Sequence, residues 1–307
     1  FADYHEGKPQ VARIERPVIK DAATRLLKYK SGELDLVMLE RQDVAALQKD
    51  PKFSGDLKFF DRPSIWYLGM APGAYAPFKD ARVRRAFGMA IDKKTIVEEL
   101  LGGVNTLANG IVPPGVEGAR PDPKGLPYDV EGAKTLLAEA GYPGGKGLPP
   151  LEFNFREGRP DVKIVAEAIA SQLTDHLGVK TNLRSMEWGA YLEKRNRGEL
   201  QLFHMRWAAD YLDPENFLSL MLSTKGAENR MGYSNPEFDA LCAKADTMPA
   251  GPERLALYQQ AEDLVLQDAP WVPIYFQRDA ELIHSRVKGL RESLFGHLPH
   301  WTVRLEE

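Results

Sequence analysis

The apolar positions of this chain change their period along its length, which predicts strands alternating with helices. Apolar residues three and four apart predict helices, several of them opened by Asp, Asn or Pro. The predicted helices cover residues 21–29, 80–101, 129–140, 161–177 and 187–195, and two more begin near 235 and 252. Short apolar or alternating runs predict strands at 11–19, 36–39, 57–60, 65–70, 151–155 and 179–183, and a pair of strands at 271–276 and 280–284. Such alternation is typical of an α/β fold.

Residues 151–207 predict one β-α-β-α-β unit, and the chain after its last strand is the first place to look for a site. In open α/β sheets, ligands bind beyond the carboxyl ends of the strands. Asp213 and Pro214 predict a helix start there, because Asp caps helices and Pro suits the first helical position. Trp207 and Asp210 therefore lie on a short strand-to-helix connection.

Trp207 and Asp210 have the chemistry to hold an organic cation. An aromatic wall beside one fixed carboxylate suits a group such as the amino end of a peptide. The residues alone leave a structural alternative open and slightly favour it. In that alternative Asp210 bonds a turn and Trp207 belongs to the core.

Neighbouring side chains complete the set of candidate ligand-binding residues, which are Phe155, Arg156, Arg206 and Tyr211. Arg156 follows the strand at 151–155, at the same sheet edge as Asp210 if the strands are parallel. Its planar guanidinium suits a ligand carboxylate, although a surface ion pair is the favoured alternative. Trp207 and Arg206 are adjacent in a strand and point to opposite faces, so the whole set cannot face one ligand. We expect the Trp207 face to do so.

Composition narrows the class of protein. The 307 residues carry a net charge of −4, which argues against a nucleic-acid partner, because such proteins carry a basic footprint. No apolar run approaches the roughly 18 residues of a membrane span. Cys242 is the only cysteine, and its helical spacing with Phe238, Leu241 and Ala245 predicts a core position. No motif predicts a cofactor.

Catalytic and metal motifs are weak. Asp210 and Asp213 can be read as a carboxylate pair of a hydrolase, but Asp213 is better explained as a helix cap. His297 and His300 are three residues apart, yet the Leu-Pro pair between them argues against a helical metal pair. We expect a solvated turn there and no metal.

Several blocks, in one order, resemble the peptide/nickel-type (family 5, cluster C) solute-binding proteins of ABC importers. The stretch W-x-x-D-Y-x-D-P at 207–214 is similar to a signature of that family. Other similar blocks lie at 3–9, 31–35, 77–86, 90–93, 233–239 and 270–275. One block departs from the pattern, because Met70-Ala71-Pro72 stands where the family has an Asn-Thr pair. Polar contacts from that loop are therefore not carried over.

The resemblance implies an α/β, two-lobed periplasmic-binding-protein type II-like fold, with one lobe complete and the other partial. It places residues 77–266 in the second lobe, and residues 1–76 and 267–307 in part of the first. The chain would be the C-terminal portion of a longer binding protein or an unusually short member.

The resemblance also implies a function. The two lobes would capture a small solute, in the first place a peptide, and deliver it to an ABC permease without catalysis. The protein would be periplasmic or extracellular, with the membrane reached only through the permease or a lipid anchor. Asp210 occupies the motif's aspartate and would meet the peptide's ammonium group. A hydrolase using Asp210, and a lobe fragment with only a structural or interaction role, stay open as alternatives.

Overall fold

The computed structural model describes His5 and residues 7–306, which form two compact units. The smaller unit holds the chain up to Arg62, the segment Gly102–Asn105 and the chain from Arg278 onward. The larger unit holds Pro63–Leu101 and Thr106–Gln277. The division into lobes at 76/77 and 266/267 stays a prediction.

The helices predicted at 21–29, 129–140, 161–177 and 187–195 and near 235 and 252 are present, and several of them begin at a capping side chain. The helices Arg41–Lys49 and Ser219–Leu222 were not predicted. Asp21, Asp80, Asp129 and Asn235 each accept a hydrogen bond from a first-turn N–H. The helices are α1 Ala22–Lys30, α2 Arg41–Lys49, α3 Ala81–Met89, α4 Val130–Glu139, α5 Pro160–Leu177, α6 Trp188–Asn196, α7 Ser219–Leu222, α8 Pro236–Asp246 and α9 Pro252–Asp268.

The strands include two long ones that pass from one unit to the other along the chain. They are β1 Leu36–Met38, β2 Leu57–Met70, β3 Thr106–Leu107, β4 Leu151–Arg156, β5 Thr181–Met186, β6 Leu202–Ala208, β7 Trp271–Ile283, β8 Val287–Lys288, β9 Glu292–Ser293, β10 Gly296–His297 and β11 Arg304–Leu305. In the larger unit the order is β7-β2-β6-β4-β5, and β3 also pairs with β7. In the smaller unit β1 pairs antiparallel with the end of β7.

The predicted β-α-β-α-β unit is confirmed. Strand β4 lies parallel to both β5 and β6, and α5 and α6 connect them. Strand β6 is antiparallel to β2, so the sheet is mixed. The carboxyl ends of β4 and β6 therefore meet at one edge of the sheet, as the sequence predicted.

The strand predicted at 11–19 is wrong, because this segment forms no strand and most of it is exposed. Ile14 and Val18 face solvent instead of a core, and Pro17 has no N–H to give to a sheet. The related block at 3–9 is described only at His5, in a turn, and at Gly7–Pro9, which are not in a strand. Asp3, Tyr4 and Glu6 lie outside the described residues.

Two pairs of predicted strands and one predicted helix were wrong in their boundaries. The strands predicted at 57–60 and 65–70 are one strand, as are those at 271–276 and 280–284. The helix predicted at 80–101 is divided. Helix α3 ends at Met89, and Asp92 then accepts hydrogen bonds from the N–H and hydroxyl of Thr95, which starts a separate π-helical segment, Thr95–Leu100.

Apolar cores cover both faces of the sheet in the larger unit. One contains Leu68, Phe87, Phe153 and Leu202, and the other contains Tyr67, Phe203, Tyr258 and Trp271. Cys242 lies in the second core, as predicted, and its burial raises the pKa of the thiol to about 12. Within the described part of the chain, no helix is both long enough and apolar enough to cross a membrane.

The Pro- and Gly-rich segment at 108–129 is ordered because Glu262 of α9 reaches into it. The Glu262 carboxylate accepts hydrogen bonds from the backbone N–H groups of Ile111 and Val112, at 2.7 and 3.1 Å. Its other oxygen pairs with Arg120 at 2.8 Å. Gly110 permits this close approach, since a Cβ there would lie 2.8 Å from the Glu262 oxygen.

Candidate functional site

The connection after β6 is where the sequence placed it, and one buried side chain holds it in shape. Asn216 is fully buried, and its side-chain oxygen accepts hydrogen bonds from the Trp207 indole N–H at 3.1 Å and the Asp210 backbone N–H at 3.2 Å. The indole N–H also reaches the Asn216 carbonyl oxygen at 2.9 Å. A single amide therefore fixes both the aromatic ring and the backbone that carries the carboxylate. Sequence reasoning missed Asn216, although it stands two residues after the helix-starting proline.

The Asp210 side chain itself is exposed and has no hydrogen-bond or ion-pair partner within the described part of the chain. Its backbone N–H, not its carboxylate, stabilises the turn. The carboxylate is consequently available to a ligand at the carboxyl end of β6.

Trp207 is half-buried and packs against the core that contains Phe203. With its N–H satisfied by Asn216, the ring presents its partly exposed surface in a fixed orientation. Tyr211 is exposed, and its hydroxyl donates a hydrogen bond to the Glu215 carboxylate. Burial and that contact both raise the pKa of Tyr211, so the phenol stays neutral.

Strand register divides the remaining candidates between the two faces of the sheet. Phe155 of β4 is level with His204 of β6, so Arg156 is level with Met205 and shares the Trp207 face. Arg156 stacks over the Trp188 ring at 4.5 Å on that face. Phe155 is buried in the core of the other face.

Arg206 is on the opposite face from Trp207, as expected from the alternation along the strand. It donates a hydrogen bond to Gln277 at 3.0 Å and lies 6.0 Å from the Trp66 ring centre. The structure thus places Asp210 and Tyr211 on one connection, with Arg156 on the Trp207 face. Arg206 and Phe155 are separated from them by the sheet. The prediction that Trp207 also lies on the connection was wrong, because Trp207 is within β6 and pairs with Ile65 of β2.

Asp213 is already engaged within the fold. Its side chain caps the turn Pro214–Asn216 and forms a paired contact with Arg254 at 2.8 and 2.9 Å. Burial opposes ionisation of Asp213, but the Arg254 hydrogen bonds hold its pKa below the usual value. A hydrolase pair of Asp210 and Asp213 would have to break this contact.

His204 is a second notable residue of β6 that the sequence did not single out. It is buried beside the rings of Trp66 and Tyr275, at 5.2 and 6.4 Å between ring centres. Neither ring nitrogen has a hydrogen-bond partner in the described structure. Burial lowers the pKa of His204 to about 3, so the ring is neutral at pH 7.

Comparisons with known proteins agree with the sequence motifs. The family model of bacterial extracellular solute-binding proteins, family 5 (middle region), matches residues 1–229. Heme-binding protein A of Haemophilus influenzae is 34% identical over 99% of this chain and 56% of its own length. The periplasmic oligopeptide-binding protein OppA of Salmonella typhimurium is 32% identical over 93% of this chain and 53% of its own length. This chain thus spans about half the length of those two relatives.

A solved structure gives the same result for the fold. HbpA2 from Haemophilus parasuis superposes with a TM-score of 0.85 at 29% identity, covering 100% of this chain and 61% of that one. The predicted α/β fold of the two-lobed periplasmic binding proteins is therefore confirmed. Because the family model covers more than half of the chain, this protein belongs to the bacterial extracellular solute-binding proteins of family 5.

Proposed function

We propose that this chain belongs to the substrate-binding component of an ABC importer and captures a solute, in the first place a short peptide. The observation that carries the proposal is the exposed, unpaired Asp210 carboxylate beside the fixed ring of Trp207. An ammonium group bound there would meet a full negative charge and an aromatic face. A relative named as an oligopeptide-binding protein supports a peptide. Another is named for heme, so the solute is the part that needs a direct test.

The transport role is inferred from the family to which the chain belongs. Capture between two lobes would bury the solute, and an ABC permease would receive it. The protein would work in the periplasm or outside the cell, and reach the membrane only through its transporter or an anchor. Catalysis has no support in the site, because Asp213 is committed to Arg254.

Asp210→Asn is expected to weaken the binding of tri-alanine at least tenfold, or about 1.4 kcal/mol, because the amide cannot compensate the ammonium charge. N-acetylated tri-alanine lacks that charge and should lose little between parent and variant. Calorimetric titration of both peptides measures the effect.

Asp122→Asn is a matched control, since Asp122 is an exposed aspartate elsewhere in the larger unit. It should leave tri-alanine affinity unchanged. Equal affinity of the Asp210 variant and the parent would disprove the ammonium role. Native mass spectrometry of the purified parent would show any co-purified solute. If the parent binds neither tri-alanine nor such a solute, the alternative of a lobe fragment with only a structural or interaction role is favoured.

Trp207→Phe is expected to abolish the change in tryptophan fluorescence when tri-alanine binds. The partly exposed indole becomes covered by the ligand, and phenylalanine cannot report this. Trp271→Phe is the control, because Trp271 is completely buried in the core that contains Phe203, where a ligand cannot cover it, so the signal should stay in place. A ligand signal that persists without Trp207 would show that this ring is only part of the core.

A further inference from the structure

A hairpin in the smaller unit brings two carboxylates and an imidazole to one point, away from Asp210. Strands β9 and β10 pair so that His297 lies directly opposite Glu292. Glu281 of β7 lies beside them, and one ligand-type atom of each residue lies within 4.8 Å of the others. Each of the three residues therefore lies in a strand.

The two ring nitrogens of His297 both face carboxylate oxygens. Nε2 lies 2.8 Å from a Glu281 oxygen, and Nδ1 contacts a Glu292 oxygen directly. A neutral imidazole has only one N–H, so it can donate to only one of the two carboxylates. At the other contact, the lone pair of the unprotonated ring nitrogen faces a negative carboxylate oxygen. The two repel each other unless a positive charge lies between them.

Arg62 is the cation nearest to these groups, but it pairs most closely with a different carboxylate. Its Nε atom lies 2.6 Å from Asp279, while its other nitrogens reach Glu281 and Glu292 only at 3.5 Å. That distance is too long for a strong charged hydrogen bond. Glu281 is only 2% exposed, so water screens its charge poorly. A divalent cation between these groups would compensate the charges of both Glu281 and Glu292.

The expected solvated turn is wrong for His297, whose side chain is 18% exposed and lies in β10. The neighbouring His300 belongs to a separate short helix, His300–Thr302, and its Nε2 accepts a hydrogen bond from Arg16 at 2.7 Å. His300 is therefore a natural comparison residue and not a member of the group.

We propose that Glu281, Glu292 and His297 form a binding site for a divalent metal ion of the zinc type. Imidazole nitrogen and carboxylate oxygen are ligands that zinc accepts at about 2.0–2.2 Å, and three protein ligands leave one position for water. Bound metal would fasten the β9–β10 hairpin to β7. This inference does not depend on the identity of the transported solute.

The test is a zinc and cobalt titration of the full chain after dialysis against a chelator. One equivalent of Zn²⁺ is expected to bind, and Co²⁺ should give visible absorption bands of a low-coordinate N/O site. Glu292→Gln and His297→Gln should each weaken zinc affinity at least tenfold and remove the cobalt bands. His300→Gln should retain both. Circular dichroism of each variant, with chelator present, shows that it is folded.

The result that overturns the proposal is equally specific. Binding of less than one equivalent of Zn²⁺ by the parent would show that no site exists. An unchanged zinc affinity in folded His297→Gln would show the same. Loss of binding in His300→Gln would contradict the assignment of the three ligands.

Discussion

Glu262→Ala is expected to lower the free energy of unfolding by about 3–5 kcal/mol, the range for removing one partner of a buried ion pair. The carboxylate is almost completely buried and satisfies two backbone N–H groups, those of Ile111 and Val112. Alanine would leave both donors unsatisfied inside the protein and open a cavity beside Arg120. Urea denaturation followed by circular dichroism measures the loss.

Two variants separate the loss of the hydrogen-bond acceptor from the loss of the charge. Glu262→Gln keeps an oxygen for the two N–H groups and loses only the charge, so it should cost clearly less than Glu262→Ala. Asp263→Asn is the neighbouring control, because Asp263 is more exposed and also pairs with Arg120, at 2.6 Å. A loss of under about 1 kcal/mol for Glu262→Ala would contradict the role assigned to this side chain.

The stability of the protein is expected to fall as the pH falls from 6.5 toward 3, in part because of His204. In the folded state its pKa is lowered from 6.5 to about 3 by burial, so the unfolded state takes up the proton first. The contribution of His204 to the free energy of unfolding is therefore present in full above pH 6.5. Below that pH it falls by about 1.4 kcal/mol per pH unit, because one proton is taken up by the unfolded state. The total effect reaches several kcal/mol at the acid end of the window.

His204→Phe isolates this effect from the carboxylates, which titrate in both proteins. The variant keeps a planar ring beside Trp66 and Tyr275 but cannot bind a proton. Denaturation at pH steps between 4 and 7 should give a flatter stability curve for the variant. At pH 7 the variant should be at least as stable as the parent, because the two unpartnered ring nitrogens are removed. Parallel curves would show that His204 does not contribute.

The sequence was most informative where the structure is determined locally. Asp213 and Pro214 predicted a helix start, and the structure has a capped turn there. The same local signal placed Asp210 on the connection after a strand, whereas Trp207 proved to be the next-to-last residue of that strand. The motifs predicted the family, because short blocks in the family's order can be recognised without knowing which residues contact one another in the fold.

Contacts between distant segments were beyond the sequence. Phe155 and Trp207 are on opposite faces because of the pairing register of β4 with β6, which no local pattern specifies. Two predicted strands merged into β2, which continues through Pro63 as one strand and pairs with β6 from Ser64 onward. The segment at 108–129 needed Glu262, about 150 residues away, to explain its order.

Asn216 and Asp210 have separate roles in the connection after β6. Asn216 holds the shape of the connection from inside, while Asp210 projects a carboxylate that no described part of the chain uses. Position 210 can therefore change its chemistry without an obvious penalty to folding, whereas position 216 cannot. Under the proposed function, natural variation or laboratory selection at position 210 would change which solutes are accepted while Asn216 keeps the connection in the same shape.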